Sequence, residues 1–203
     1  MKPFTRPSSS KDKPAPAHKG AGEVRIIGGQ WRRTKLPVAL KPGLRPTPDR
    51  VRETLFNWLG QSLQGWRCVD AFAGTGALGL EAASRGAAQV QLCEQDAALV
   101  HQLKAQVERL KATTVQVQRT DGVAFLKQLG SASVDLIFLD PPFDSALFEP
   151  ALQAAAQAVK PDGWVYLEAP VVWTDEVLAP WGLQQHRHLK AGTVHAHLLR
   201  RIA

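Results

Sequence analysis

From Gly65 onward, short apolar runs alternate with segments whose apolar residues recur at helical spacing, and nothing else in the chain constrains its fold as tightly. Runs at 68–71, 90–94, 115–118, 134–139 and 164–168 read as strands, and the segments 78–84, 97–110, 122–129 and 146–159 between them read as helices. Strands joined through helices must lie parallel, with helices covering both faces of the sheet. The end of the chain differs. Segments 183–189 and 193–201 flank Lys190-Ala191-Gly192, which predicts an antiparallel hairpin. The expected architecture is α/β, with a seven-stranded, mostly parallel sheet and one reversed strand near its end.

Ahead of this body, 24–27, the pair Gly28-Gly29 and 30–36 predict a basic β-hairpin. Thr47 is placed to cap a helix with Pro48 at its first position and Asp49 beside its positive end. Val51, Leu55, Trp58 and Leu59 mark the buried face of that helix. Arg50 and Arg52 are expected near its exposed start.

Charge divides the chain. Up to Arg50 there are 12 Lys/Arg against Asp12, Glu23 and Asp49; beyond it there are 13 against 15 Asp/Glu. The net +7 therefore sits at the front. A basic front on a near-neutral body implies an anionic partner, and nucleic acid leads. Segment 1–22, rich in Pro, Ser and Lys, predicts a disordered basic tail without the apolar stretch of a signal peptide. From 23 to 44 a basic extension follows, with Arg25, Arg32, Arg33 and Lys35 interleaved with Trp31; Arg45 and Arg50 continue the charge. Trp31 can either stack on a base or pack on the body. No apolar run reaches the length of a membrane span. Cys68 and Cys93 fall inside strands and read as small buried hydrophobes in a reducing cytoplasm.

Two junctions carry the chemistry. At the first strand-to-helix turn, Asp70-Ala71-Phe72-Ala73-Gly74-Thr75-Gly76 leads to Gly79. Glu94 ends the next strand, where open α/β sheets bind ligands and where an acid can hold ribose hydroxyls. Glycine spacing and Glu94 also suit a dinucleotide, which leaves a NAD(P) oxidoreductase as one reading. Asp70, however, aims a carboxylate into the site. It repels a pyrophosphate and suits a cationic ligand with an amine and a sulfonium. With Asp121-Gly122 placed for an adenine amino group, S-adenosylmethionine fits every point. Asp121 also reads as a helix cap, and Asp96 reads as a cap alone. The second junction is Asp140-Pro141-Pro142-Phe143, closing the apolar run 134–139. Here two prolines stiffen a corner that presents a carboxylate, backbone carbonyls and an aromatic ring, a device for gripping a flat amino group. His186, His188, His195 and His197 alternate along the terminal hairpin without metal-ligand spacing, and no metal is expected.

These motifs resemble the Rossmann-like class I SAM-dependent methyltransferases, and more closely the RsmD-type family of small-subunit ribosomal RNA guanine-N2 methyltransferases. Four stretches carry the similarity: Ile26-Ile27-Gly28-Gly29-Gln30-Trp31-Arg32; Arg45-Pro46-Thr47 with Arg50-Val51-Arg52-Glu53-Thr54-Leu55-Phe56-Asn57-Trp58-Leu59; the segment 70–85; and Asp140-Pro141-Pro142-Phe143. Arg33 stands where the family often carries glycine, and Pro48 where a second Thr or Ser is common. The resemblance implies a methyltransferase domain over 45–203 and S-adenosylmethionine as co-substrate, held by Asp70, Phe72, Gly74, Thr75, Gly76, Glu94, Asp121 and Gly122. Catalysis is implied at Asp140, Pro141, Pro142 and Phe143, and RNA contact at the basic residues and Trp31. It implies a cytoplasmic bacterial enzyme, a monomer, that methylates one guanine of 16S rRNA in the small subunit or an assembly intermediate. An adenine-N6 methyltransferase remains the neighbouring reading, since Asp-Pro-Pro-Phe alone suits either base.

Overall fold

The computed structural model describes residues 22–39 and 46–202. Of the tail expected over residues 1–22, residues 1–21 lie outside them, and so does Arg45. A two-stranded ribbon, β1 (Glu23–Arg25) and β2 (Lys35–Pro37), leads into helix α1 (Asp49–Trp58). The body then runs β3 (Arg67–Asp70), α2 (Ala77–Ser84), β4 (Gln89–Glu94), α3 (Ala97–Arg109), β5 (Val115–Arg119), α4 (Gly122–Gln128), β6 (Val134–Leu139), α5 (Phe148–Ala158) and β7 (Val159–Ala169). A short helix α6 (Asp175–Leu178) precedes the hairpin of β8 (Leu183–Ala191) and β9 (Val194–Arg201).

The seven strands stand in the order β5-β4-β3-β6-β7-β9-β8. Neighbours from β5 to β7 pair in parallel, while β9 is antiparallel to both β7 and β8. The reversed strand is thus β9, inserted between β7 and β8. The chain first winds outward from β3 to β5, then returns to place β6 on the other side of β3. At that switch point the connections leaving β3 and β6 diverge, opening a crevice at the carboxyl ends of the strands.

A sheet covered on both faces needs apolar residues on both sides of each central strand. Along β6, Leu136 and Phe138 enter a core with Leu55, Phe56, Leu80, Leu92 and Tyr166. Ile137 and Leu139 enter the opposite core with Val69, Leu152, Val165 and Leu167. Cys68 and Cys93 are buried thiols on β3 and β4.

The N-terminal ribbon is the expected antiparallel hairpin, but its strands are short and its turn is differently built. Only three residues of each strand pair, Val24 opposite Leu36 at the centre. The Gly28-Gly29 stretch does not make a tight two-residue turn; it lies against the end of α2. A Cβ on Gly29 would come within 1.8 Å of the Ser84 carbonyl oxygen, and φ there is +72°. The Gln30 amide donates to that carbonyl at 2.8 Å. The Ile27 and Gly28 amides donate to Glu81 Oε2 and Oε1, each at 2.7 Å. Trp31 is partly buried against the core beneath this ribbon.

Two expectations for α1 are corrected. Pro48, not Thr47, occupies the cap position, and its carbonyl accepts from the Val51 and Arg52 amides. The Thr47 hydroxyl reaches instead across 121 residues to Glu168. Arg52 is fully buried rather than exposed. It stands one turn before Phe56 on the same helix face. Its guanidinium donates to the Thr47 and Arg25 carbonyls and to Asp49, and pairs with Glu81. Arg50 is exposed, as expected. The Arg85 Nε also donates to Glu81, at 2.8 Å. One buried carboxylate thus ties the ribbon, α1 and α2 together.

Candidate active site

The crevice edge is built from the carboxyl ends of β3, β4, β6 and β7, and each of these strands delivers an acid there. Asp70 ends β3 and is 2% exposed. Its Oδ2 accepts from the Gly79 amide at 3.0 Å, inside the first turn of α2. Its Oδ1 is buried and finds no partner of hydrogen-bonding geometry. Burial pushes the carboxyl up to about 7; the Gly79 and Phe72 amides pull it down, and the charges of Glu94 and Glu168 add a smaller rise. A buried acid with an orphaned oxygen fits a ligand that brings its own donor.

Glu94 ends β4 and is half-buried. Its Oε2 accepts from the Gly74 amide at 2.9 Å and its Oε1 from the Asp96 amide at 2.8 Å. It thereby fixes the glycine turn in which Gly74 and Gly76 adopt φ of 51° and 79°. Thr75 is buried in that turn, and Phe72 packs at the edge of the core beneath α4. Asp96 caps α3 through the Ala98 and Leu99 amides, as expected. Asp121 caps α4 by accepting from the Ala124 amide at 2.8 Å, and its other oxygen accepts from Gln95 Nε2 at 2.6 Å. Gly122 has a separate reason to be glycine. A Cβ there would stand 1.9 Å from the Ala71 carbonyl oxygen, so the start of α4 can reach the end of β3 only without a side chain. Asp70, Phe72, Gly74, Thr75, Gly76, Glu94, Asp121 and Gly122 therefore gather along the turns after β3, β4 and β5.

Asp140 follows β6, and Pro141, Pro142 and Phe143 carry the chain out of the sheet. Pro141 is buried, whereas Phe143 is 38% exposed. The Pro142 carbonyl accepts from the Ser145 amide at 3.0 Å and the Ser145 hydroxyl at 2.6 Å, which closes the corner. Among the described residues the Asp140 carboxylate has no hydrogen-bond donor. Burial first, then the charges of Glu168 and Asp70, hold it well above the ordinary carboxylate range.

Sequence reasoning missed Glu168. It lies on β7, 3% exposed, where the pairing of Leu139 with Leu167 sets it one step along from Asp140. Its Oε1 accepts from the Thr47 hydroxyl at 2.6 Å and the Tyr166 hydroxyl at 2.8 Å. Burial raises its pKa, opposed by those two hydrogen bonds and by the charge of Arg52. Tyr166 is pushed up as well, by burial and then by Glu168. The signal was present in the sequence: like Asp70 and Glu94, Glu168 is an acid at the carboxyl end of an apolar run.

The basic residues lie elsewhere. Arg25, Arg32, Arg33 and Lys35 are exposed on the ribbon and its loop. Lys35 pairs with Glu23 at 2.7 Å. Arg33 adopts a left-handed φ of 71°, unusual for a residue with a side chain. An open pocket of about 480 Å³ is lined by Gly28, Gly29, Arg32, Glu53, Asn57 and Arg85 among others, at the end of α2 remote from the acids. On the terminal hairpin, His188 Nε2 and His195 Nδ1 stand 2.9 Å apart, and His197 is buried with its Nε2 accepting from the Trp173 amide. Among the described residues no group of three or more His, Cys, Asp or Glu is arranged to hold a metal ion. No described helix is long and apolar enough to cross a membrane.

The family model described as conserved hypothetical protein 95 matches residues 24–200. The ribosomal RNA small subunit methyltransferase D of Escherichia coli K12 is 45% identical over 195 residues, spanning 93% of this chain and 95% of that protein. The protein of the same name from Haemophilus influenzae is 45% identical over 152 residues, 72% of this chain and 79% of that one. A solved structure from Escherichia coli, described as a methyltransferase, superposes with a TM-score of 0.78 at 44% identity, covering 90% of this chain and 99% of that one. One from Haemophilus influenzae, described as a methylase, gives 0.74 at 36% identity, covering 90% and 100%. The fold is that of the class I methyltransferases, with the reversed strand near the chain's end.

Proposed function

The chain belongs to the conserved hypothetical protein 95 family, the RsmD family, and we propose that it methylates the exocyclic N2 of one guanine in the RNA of the small ribosomal subunit. The observation that carries this reading is the buried Asp70 Oδ1 without a partner, together with an Asp140 carboxylate that no described donor reaches, beside a rigid aromatic corner. An amino nitrogen and a ligand ammonium group are the donors that such a set accepts.

S-adenosylmethionine, when bound, supplies an electrophilic methyl group on a sulfonium. Asp70 Oδ1 is placed to accept from its α-amine, and Glu94 to hold its ribose in exchange for the Gly74 amide. Asp121 and Gly122 stand at the strand end assigned to its adenine. Asp140 then does the chain's part in the transfer. Guanine N2 is a weak nucleophile because its lone pair is delocalised into the ring. Accepting its N–H bonds on the Asp140 carboxylate and the Pro141 carbonyl would turn that lone pair toward the methyl group and favour positive charge developing on nitrogen; the carbon–sulfur bond breaks as the carbon–nitrogen bond forms, leaving a neutral thioether, and the proton shed by nitrogen passes to Asp140 or to solvent. The Pro142 carbonyl is committed to Ser145, so Pro141 supplies the second acceptor. Phe143 is exposed at the mouth, where it can stack on a base drawn out of its helix or loop. Arg25, Arg32, Arg33, Lys35 and Arg50 provide phosphate contacts, and Arg45 is assigned with them from the sequence.

Methyl transfer to small subunits lacking the modification tests this directly. Asp140→Ala is expected to lower transfer by a factor on the order of 10²–10³ while S-adenosylmethionine binding persists. Near-normal turnover by this variant would refute the mechanism.

A further inference from the structure

Guanine and adenine both present an amino group to a carboxylate, so Asp140 alone does not separate them. They differ at the neighbouring ring nitrogen: guanine N1 carries a hydrogen, and adenine N1 carries a lone pair. A guanine-selective site therefore needs a second acceptor beside the first. Glu168 stands in that place. It occupies the next step of the β6–β7 register from Asp140, at the same sheet end. Both hydrogen bonds to its carboxylate fall on Oε1, from Thr47 and Tyr166. Among the described residues no donor reaches Oε2, although the residue as a whole is 3% exposed. An acceptor left open in this way is available to a donor that a ligand brings.

We propose that Glu168 is the base-selecting residue, its Oε2 accepting the N1–H of the target guanine while Asp140 accepts from N2. The idea rests on the methyltransferase reading above and adds the residue that chooses the base. Thr47 and Tyr166 hold Oε1, which fixes the carboxylate plane and turns Oε2 to the base. An adenine placed there would set its N1 lone pair against an anionic oxygen, and the mismatch rejects it. Thr47 precedes α1, so the segment carrying the exposed Arg50 is fastened through one hydrogen bond to the residue that reads the base.

The test uses Glu168→Gln and two acceptor particles. One is the small subunit with its natural guanine. The other is reconstituted with 2-aminopurine at the same position, which keeps the amine but carries a lone pair at N1. The wild-type chain should prefer guanine by about 10–100-fold, the range of a hydrogen bond to a charged group. In Glu168→Gln the amide carbonyl still accepts from Thr47 and Tyr166, while an N–H₂ group replaces Oε2. That variant should lose about 10–100-fold on guanine and hold or gain on 2-aminopurine, which brings the ratio to near unity or inverts it. Because the readout is a ratio within one variant, partial misfolding cancels from it. An unchanged ratio, or an equal fall on both bases, overturns the inference and leaves Glu168 as a docking residue for Thr47. If the wild-type chain makes no N2-methylguanine at all, the methyltransferase reading itself fails.

Discussion

Two clusters of buried charge sit on the same face of the sheet, and they are built on opposite rules. Around Glu81 every charge has its complement. Both oxygens accept backbone amides from the ribbon, Arg85 and Arg52 supply the cations, and Arg52 is further satisfied by Asp49 and two carbonyls. At the strand ends, burial raises the pKa of Asp70, Asp140 and Glu168, the charge of Glu168 adds to the rise at Asp70 and Asp140, and Asp70 Oδ1 is left without a partner. The first cluster joins segments distant in sequence and asks nothing of a ligand. The second is costly in the free protein, and the ligands repay that cost. Perturbed, unmatched acids in a crevice mark chemistry; matched ones mark architecture.

If this contrast holds, the largest stability loss should come from the matched cluster. Glu81→Ala strands two buried guanidinium groups and two backbone amides, and should cost about 3–5 kcal/mol in urea unfolding, as removal of one partner from a buried pair does. The ribbon amides of Ile27 and Gly28 should lose hydrogen-exchange protection in the same variant. A loss under about 1 kcal/mol would mean that water replaces the carboxylate and that the cluster is not a clasp.

The unmatched cluster should reveal itself through pH. In the free folded chain Asp70 titrates at about 7, well above its unfolded value, so the folded state holds the extra proton between the two. Stability of the free protein therefore falls as pH rises from about 4 to about 7, and the raised Asp140 and Glu168 act in the same direction. A cationic ligand favours the ionised form, so S-adenosylmethionine affinity should increase several-fold between about pH 5.5 and about pH 7.5. Titration calorimetry checks this. Asp70→Asn should bind more weakly and lose most of the dependence; a flat profile for the wild-type chain would sever Asp70 from the ligand.

The smallest effect is expected at Arg33. Its left-handed φ of 71° suits glycine. Arg33→Gly should relieve backbone strain and raise stability by about 0.5–1 kcal/mol. A decrease would show that the Arg33 side chain contributes more to the ribbon than its backbone costs.

The sheet was legible because its signals are local. The run 134–139 is apolar on both alternations, and it buries both faces of β6. Strand ends were legible too, and Asp70, Glu94, Asp121 and Asp140 do stand at or just after the ends of β3, β4, β5 and β6. What escaped was long-range. Thr47 looked like a helix cap because its immediate neighbours said so, and its partner lies on β7. Arg52 looked exposed because a charged residue beside Asp49 usually is; only the ribbon and Glu81, 29 residues on, enclose it. Gly28 and Gly29 read as a turn, whereas their small size serves the approach of the ribbon to α2. Local pattern predicts elements, and polar contacts between distant segments decide what buried charge is for.

The identity of the methylated nucleoside tests the central claim most directly. Small subunits lacking the modification, incubated with the full chain and methyl-labelled S-adenosylmethionine, can be digested to nucleosides and separated. The unmatched acid cluster predicts label in N2-methylguanosine alone. Label in N6-methyladenosine, or none in the RNA while S-adenosylmethionine binds, would contradict it.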